Sequence, residues 1–320
     1  MDIVCLGELL IDMFPAEVGR RLVEVSAFHP KPGGAPANVA VAAARLGAAS
    51  AFIGKVGDDA FGHYLRETLA TEGVETRGIR FDADARTTLV FVALIDENTP
   101  EFIFYRNPGA DMRLRADELD ADLLRQAKVF HFGSISLINE PSRSATLAAV
   151  ELAREAGALV SFDVNYRPAL WPSPAEAAGV MRTMLPRADL VKVNDAELEL
   201  LTGSRDLAAG SQKLLDSGPA LVVVTLGPAG SYFYAAGGGA HVPGFAVPTV
   251  DGVGCGDAFT AGLLTQLIAG GDWRARLEPS ILSRILRYAN AVGALTATKQ
   301  GVIPALPTAA DVATFLTATA

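Results

Sequence analysis

Short, continuously apolar runs alternate along the chain with longer stretches in which apolar residues recur every three or four positions. The runs "DIVCLGEL", "SAFIGKVG", "KVFHFGSI", "LVSFDVN", "DLVKVN" and "ALVVVTLG" are bounded by Gly, Asn or Ser and predict buried strands. Between them lie helical patterns. In "PANVAVAAARLG", Pro36 suits an opening turn and Gly47 a closing one. "DDAFGHYLRETLATEGV" and "PSRSATLAAVELAREAGA" reach glycines at Gly73 and Gly157. Strand–helix alternation of this kind predicts an α/β fold, a parallel sheet with helices on both faces. The alternation breaks in "ARTTLVFVALIDENTPEFIFYRNPGAD", residues 85–111, which reads as two strands around the turn "DENTP". Residues 12–31 are also non-helical. Together these two pieces predict a small β-sheet lid over one end of the main sheet, where ligands of open α/β sheets sit. An ordinary edge hairpin satisfies the same pattern. "AAGGGA", residues 235–240, reads as a flexible loop.

Composition narrows the class. The 320 residues are 50% hydrophobic and 20% charged, enough for a large buried core. The net charge is -9, and no basic run exceeds "GRRL" at 19–22, so no nucleic-acid partner is expected. Two cysteines, Cys5 and Cys255, form no disulfide framework and suit a reducing cytoplasm. The N-terminus carries Asp2, Glu8 and Asp12 with no basic leader, so a signal peptide is not expected. No uncharged apolar run reaches membrane-spanning length, so no membrane association is expected.

The chemistry concentrates in "VDGVGCGDAF". Gly252, Gly254 and Gly256 alternate, Asp257 follows, and a helical run begins. A helix N-terminus presents unpaired amides and partial positive charge. Glycines before it let an anion approach those amides. No Lys-Ser/Thr follows, so this is not a P-loop. It also lies too late in the chain for a dinucleotide fingerprint, and "LGELLID" after the first strand lacks a glycine-rich turn, which disfavours an oxidoreductase. A plain helix cap explains the glycines but not the carboxylate. A carboxylate beside an anion hole can take a proton from a hydroxyl while the amides stabilise a transferred group.

These residues resemble the signature of the ribokinase-like (PfkB) carbohydrate kinases. "KPGGAPANVAVAAARLGAASAFIGKVGDDAFG" at 31–62 is similar to the family's amino-terminal signature. "VKVNDAEL", "VVTLGPAG" and "ANAVGALTATKQGVIPALPT" follow in the family's order. The resemblance covers residues 1–320 and implies a single ribokinase-like domain, a three-layer α/β/α sandwich with a mostly parallel sheet and a β-lid. It implies ATP-dependent phosphorylation of a sugar hydroxyl, with Asp257 as base and the amides of Gly254, Cys255 and Gly256 as anion hole. Gly252 stands where the family usually has Thr, and Cys255 where it usually has Ala.

By the same resemblance, Asp12, Gly33, Gly34 and Asn38 bind sugar hydroxyls. Asn194, Thr225, Gly227 and Asn290 contact the nucleotide, and Glu197 holds Mg²⁺ through water. Asp251 marks a monovalent-cation site suited to K⁺. "NDAE", Asn194 to Glu197, is equally a helix capping box, and both roles can hold at once. "YRNPGADM" looks most like fructokinases, with Arg106 reaching over the acceptor site and Arg167 in "DVNYRPALW" as a second arginine. Two arginines also suit a sugar acid, as in 2-keto-3-deoxygluconate kinases, since guanidinium pairs strongly with carboxylate. Aminoimidazole riboside kinases share "DVN-R", and a non-catalytic nucleotide or sugar sensor could use the same fold. The family often dimerises through its lids, so a homodimer of that kind is expected.

Overall fold

The structure is a computed structural model that describes residues 1–17, 19–96 and 99–319. Its strands, in chain order, are β1 (Ile3–Leu6), β2 (Leu10–Pro15), β3 (Phe28–Gly33), β4 (Ser50–Gly57), β5 (Glu75–Asp82), β6 (Leu89–Asp96), β7 (Thr99–Tyr105), β8 (Val129–Gly133), β9 (Leu159–Asp163), β10 (Leu190–Asn194), β11 (Leu221–Thr225), β12 (Gly230–Ala235) and β13 (Gly238–Pro243). The helices are α1 (Ala35–Arg45), α2 (Ala60–Thr71), α3 (Ala121–Arg125), α4 (Ser142–Glu155), α5 (Pro174–Arg182), α6 (Asp195–Thr202), α7 (Leu207–Leu215), α8 (Cys255–Ile268), α9 (Pro279–Ala297) and α10 (Ala309–Ala318).

Nine strands form one sheet in the order β13-β12-β11-β10-β9-β8-β1-β4-β5. It is parallel from β11 through β5, and β12 and β13 add an antiparallel edge. Successive side chains of a strand point to opposite faces, so each buried strand feeds two cores. In β1, Ile3 and Cys5 pack toward α1, α2, α8, α9 and α10. Val4 and Leu6 pack toward α3 to α7 on the other face. The result is the expected three-layer α/β/α arrangement.

A second sheet of four strands, β3-β2-β6-β7, follows directly from the end of β1. It gathers the two segments that break the alternation in the sequence. One of its faces carries Phe28, Phe91 and Tyr105, with ring centroids 5.0 and 5.2 Å apart, and Tyr105 is 63% exposed. The turn expected within 96–100 falls on Glu97 and Asn98, which lie outside the described residues.

Two readings need correction. Strand β5 was not anticipated, because its polar residues hide a strand that pairs only with β4. "AAGGGA" is not a flexible loop: Ala235 ends β12, Gly238 begins β13, and only two residues turn between paired strands. Its glycines carry no apolar signal, although Gly238 and Gly239 are paired in the ladder with Ala235 and Tyr234.

Phe52 on β4 is completely buried against the α1 and α2 side. Phe52→Ala should cost about 3–5 kcal/mol by leaving a cavity there, read as a lower midpoint in denaturant with an unchanged slope.

Candidate active site

The parallel strands all deliver their C-terminal ends to one edge of the sheet, and polar residues collect there. Asp163 ends β9, Asn194 ends β10 and Thr225 ends β11, with Asn194 and Thr225 in direct register. Helix α8 starts at the same edge. Gly254 precedes it with φ +79°, left-handed backbone that favours glycine, and a Cβ there would overlap the side chain of Val302. The first helical bond runs from the Ala258 amide to the Gly254 carbonyl, 2.9 Å. Earlier amides of such a turn lack helical acceptors; that of Cys255 makes a long 3.5 Å bond back to the Gly252 carbonyl. The predicted anion hole therefore has the geometry of an open helix N-terminus.

Asp257 sits in that first turn, nine-tenths buried. Its Oδ2 accepts a 2.8 Å hydrogen bond from Asn38 Nδ2, across 219 positions of sequence. The bond leaves Asn38 Oδ1 buried without a partner. Burial pushes the Asp257 carboxyl up to about 6, against the lowering effects of Asn38, Lys192 and Arg167. Asp12 is pushed up to about 7 by burial and by the charge of Asp257, with Arg167 opposing. These four predicted residues, Asp12, Asn38, Arg167 and Asp257, thus share one electrostatic neighbourhood. Gly33 and Gly34 border it: a Cβ on Gly33 would overlap the Asp12 carboxylate, and one on Gly34 the Glu8 carbonyl.

Asp251 has both carboxylate oxygens occupied. It accepts from the amides of Val253 and Gly301, each at 2.9 Å. Gly252 has nothing within 4 Å of where a Cβ would stand, so the space for a larger side chain is present and unused. Burial pushes the Cys255 thiol up to about 12, so it stays protonated at neutral pH.

Asn194 and Glu197 form the capping box in full. The Glu197 amide donates to Asn194 Oδ1 and the Asn194 amide to Glu197 Oε2, both at 2.8 Å. Glu197 Oε1 accepts from the Tyr166 amide at 2.6 Å. Its carboxyl is raised by burial and by Asp163. Gly227 has φ +57° in the turn just after β11. Asn290 on α9 donates to the carbonyls of Val242 and Pro243 at 3.1 and 3.2 Å, pinning the end of β13.

Arg106 departs from the expectation that it would reach over the acceptor site. It is buried, and its Nε and Nη2 both lie 2.7 Å from Asp111 Oδ2, while Thr88 donates to the other oxygen at 2.6 Å. A cavity of about 520 Å³ beside it is lined by Phe102, Phe104, Arg143 and Trp171. None of the clustered carboxylates lines it.

Sequence reasoning passed over three residues. Lys192, in the otherwise apolar β10, pairs with Asp163 at 2.9 Å, and both are buried. Glu8 is buried at the mouth of Asp12 with Oε1 on the Ala35 amide, 3.0 Å, and Oε2 unpartnered. A charge inside a run of buried strand positions, as in "VKVN", was the available signal for the first pair.

The pattern of the pfkB family carbohydrate kinases matches residues 1–309. Fructokinase-2 of Solanum lycopersicum is 50% identical over 316 residues, covering 98% of this chain and 95% of the relative. The crystal structure of a fructokinase with bound ATP from Xylella fastidiosa superposes with a TM-score of 0.91 at 37% identity, covering 99% and 98% of the two chains. A fructokinase from Vibrio cholerae O395, in a form binding fructose, ADP and calcium ion, gives 0.89 at 36% identity, covering 98% of each. Matched by the family pattern over residues 1–309 and half identical to a fructokinase along nearly its whole length, the chain belongs to the pfkB family of carbohydrate kinases.

Proposed function

We propose that this chain is an ATP-dependent fructokinase, with Asp257 as the base that accepts the proton of the fructose hydroxyl. The observation that carries the reading is the Asn38–Asp257 pair. Asn38 orients the carboxylate and keeps one buried, unsatisfied acceptor, Oδ1, beside it. A buried acceptor without a donor is costly, and a sugar hydroxyl supplies one. The fructokinase relatives support fructose as that sugar.

In the proposed reaction Asp257 holds the acceptor oxygen in line and takes its proton as the bond to the γ-phosphorus forms. The amides of Gly254, Cys255 and Gly256 face the charge on the transferring group. Asp12 and the Asn38 amide bind neighbouring hydroxyls, with Gly33 and Gly34 allowing the sugar to come close, and Arg167 balances the two carboxylates. Thr225 and Gly227 meet the nucleotide phosphates, and Asn290 shapes the adenine side by fixing the end of β13.

Among the described residues no cluster of three acidic, His or Cys side chains could cage a metal. Asn194 and Glu197, paired at the start of α6, are oxygen donors that fit Mg²⁺ arriving with the nucleotide, largely hydrated, by contacting its water and phosphate shell. Bound there, Mg²⁺ would neutralise phosphate charge. A K⁺ ion would rely on carbonyls around Asp251, whose own oxygens already hold two amides. The second sheet acts as a lid, and its exposed aromatic face with Tyr105 suits pairing of two lids in a homodimer. No helix among the described residues is long and apolar enough to cross a membrane. Free thiols and an ATP substrate suit the cytoplasm.

A sugar acid is a poorer fit. Asp12, Asp257 and Glu8 crowd the pocket, and Arg106 is already engaged by Asp111, so only Arg167 would meet a substrate carboxylate. ADP release should therefore be faster with fructose than with other hexoses, 2-keto-3-deoxygluconate or aminoimidazole riboside; a preference for the acid would reverse the substrate assignment. Asp257→Asn should keep the fold and ATP binding while lowering turnover by about 10²–10⁴-fold. A base must be ionised, so kcat/KM should rise with pH through about 6 and level off above it. Asn38→Leu removes the donor that lowers the Asp257 carboxyl, so that acid limb should move to higher pH.

A further inference from the structure

Gly256 lies within α8, where its backbone is ordinary helix and any residue would be accepted. What distinguishes the position is its neighbour. A Cβ built at Gly256 would stand 3.1 Å from Lys192 Nζ, tighter than most real Cβ contacts. Lys192 comes up from β10, directly beneath the first turn of α8, on the face of the sheet where α8 packs. Its ammonium is fixed by Asp163 Oδ2 at 2.9 Å, and Asp163 stands beside it in register on β9. Both side chains are almost wholly buried. A lysine has three donors, and the one recorded bond uses one of them.

We propose that Lys192 is a positioning residue of the transfer site: held by Asp163 and admitted by the missing side chain of Gly256, its ammonium supplies a fixed positive charge beneath the anion hole, one residue from the base. The inference rests on Asp257 as the base. The third glycine of the motif then serves two sides of the helix turn. Its outer side leaves the amides open to phosphate, and its inner side leaves room for the ammonium.

The charge balance agrees. Three carboxylates surround Lys192: Asp163 from β9, Glu197 from α6 and Asp257 from α8. Burial lowers the ammonium, and these three outweigh it and hold it above its usual value. Asp257 in turn faces Asn38 from α1, Lys192 from β10, Asp163 from β9, Arg167 from the segment after β9 and Asp12 from β2. Removing Lys192 leaves Arg167 as the single cation acting on the base from this set. His131 on β8 and the Cys255 thiol on α8 are further titratable groups on this side; burial keeps His131 neutral down to about 4 and pushes Cys255 up to about 12.

The test compares the pH profile of kcat/KM for fructose in Lys192→Met, Lys192→Arg and the double variant Lys192→Met with Asp163→Asn. Lys192→Met should lower kcat on the order of 10–100-fold and move the acid limb up by about one pH unit. Lys192→Arg keeps the charge and should hold the limb near its parent position. Lys192→Met alone strands Asp163 in the interior, so its thermal midpoint should fall. The double variant removes both charges and should regain the midpoint without regaining turnover. A folded Lys192→Met with an unmoved acid limb would overturn the proposal, and so would a double variant with parental kcat. Asp257→Asn separates the two claims. If it turns over normally, the base assignment fails. If it is inactive while Lys192→Met keeps the parental limb, only the role of Lys192 fails.

Discussion

The site depends on one constraint: the first turn of α8 is held by close packing. The helix is buried along nearly its whole length, from Asp257 to Leu267. At its start the side chain of Val302 occupies the space a Cβ on Gly254 would need, and the Cys255 carbonyl lies 3.2 Å from where a Cβ on Gly293 would stand. A helix start held by packing keeps its backbone amides in fixed directions. Donors that need no reorganisation when charge develops stabilise it more than mobile ones do. The strand ends of β9, β10 and β11 are fixed just as firmly by the parallel sheet, and they bring Asp163, Lys192, Asn194 and Thr225 to the same edge.

The electrostatics carry a cost. Glu8, Asp12 and Asp257 are all raised toward neutrality by burial, to about 7, 7 and 6. Each binds its proton more tightly in the folded chain than in the unfolded one. Their contribution to stability is fully present below the ordinary carboxylate range, near 3.8 to 4.5, and is lost as pH rises through 6 and 7. The protein therefore keeps these three carboxylates in surroundings that lower its stability once the pH rises above about 7. Asn38 and Arg167 reduce that strain without removing it. Functional sites commonly trade stability in this way.

Much of this was legible in the sequence. Continuous apolar runs with polar ends announced the parallel strands, because a strand covered on both faces tolerates little else. The glycine turn before an apolar helix, with an aspartate at its edge, announced the helix start at Cys255 that carries Asp257 buried in its first turn. Other features escaped because their signals are relational. Lys192 looks like an isolated charge until Asp163 is placed beside it and Gly256 above it. Arg106 looked free because Asp111, only five positions away, reads as a loop aspartate. The strands β12 and β13 were hidden by glycines whose contribution is backbone pairing, not side-chain burial. Asn290 carries two hydrogen bonds to β13 that no pattern along α9 predicts.

Asp251 gives the turn before α8 a second dependence. One of its oxygens holds the amide of Val253 and the other that of Gly301, 50 positions further on. Next to that bond, the bulk of Val302 fills the space that Gly254 leaves empty. Two stretches that are distant in the gene thus answer to a single shape. A change in the late segment is therefore felt by the turn before α8, and a change in that turn by the late segment.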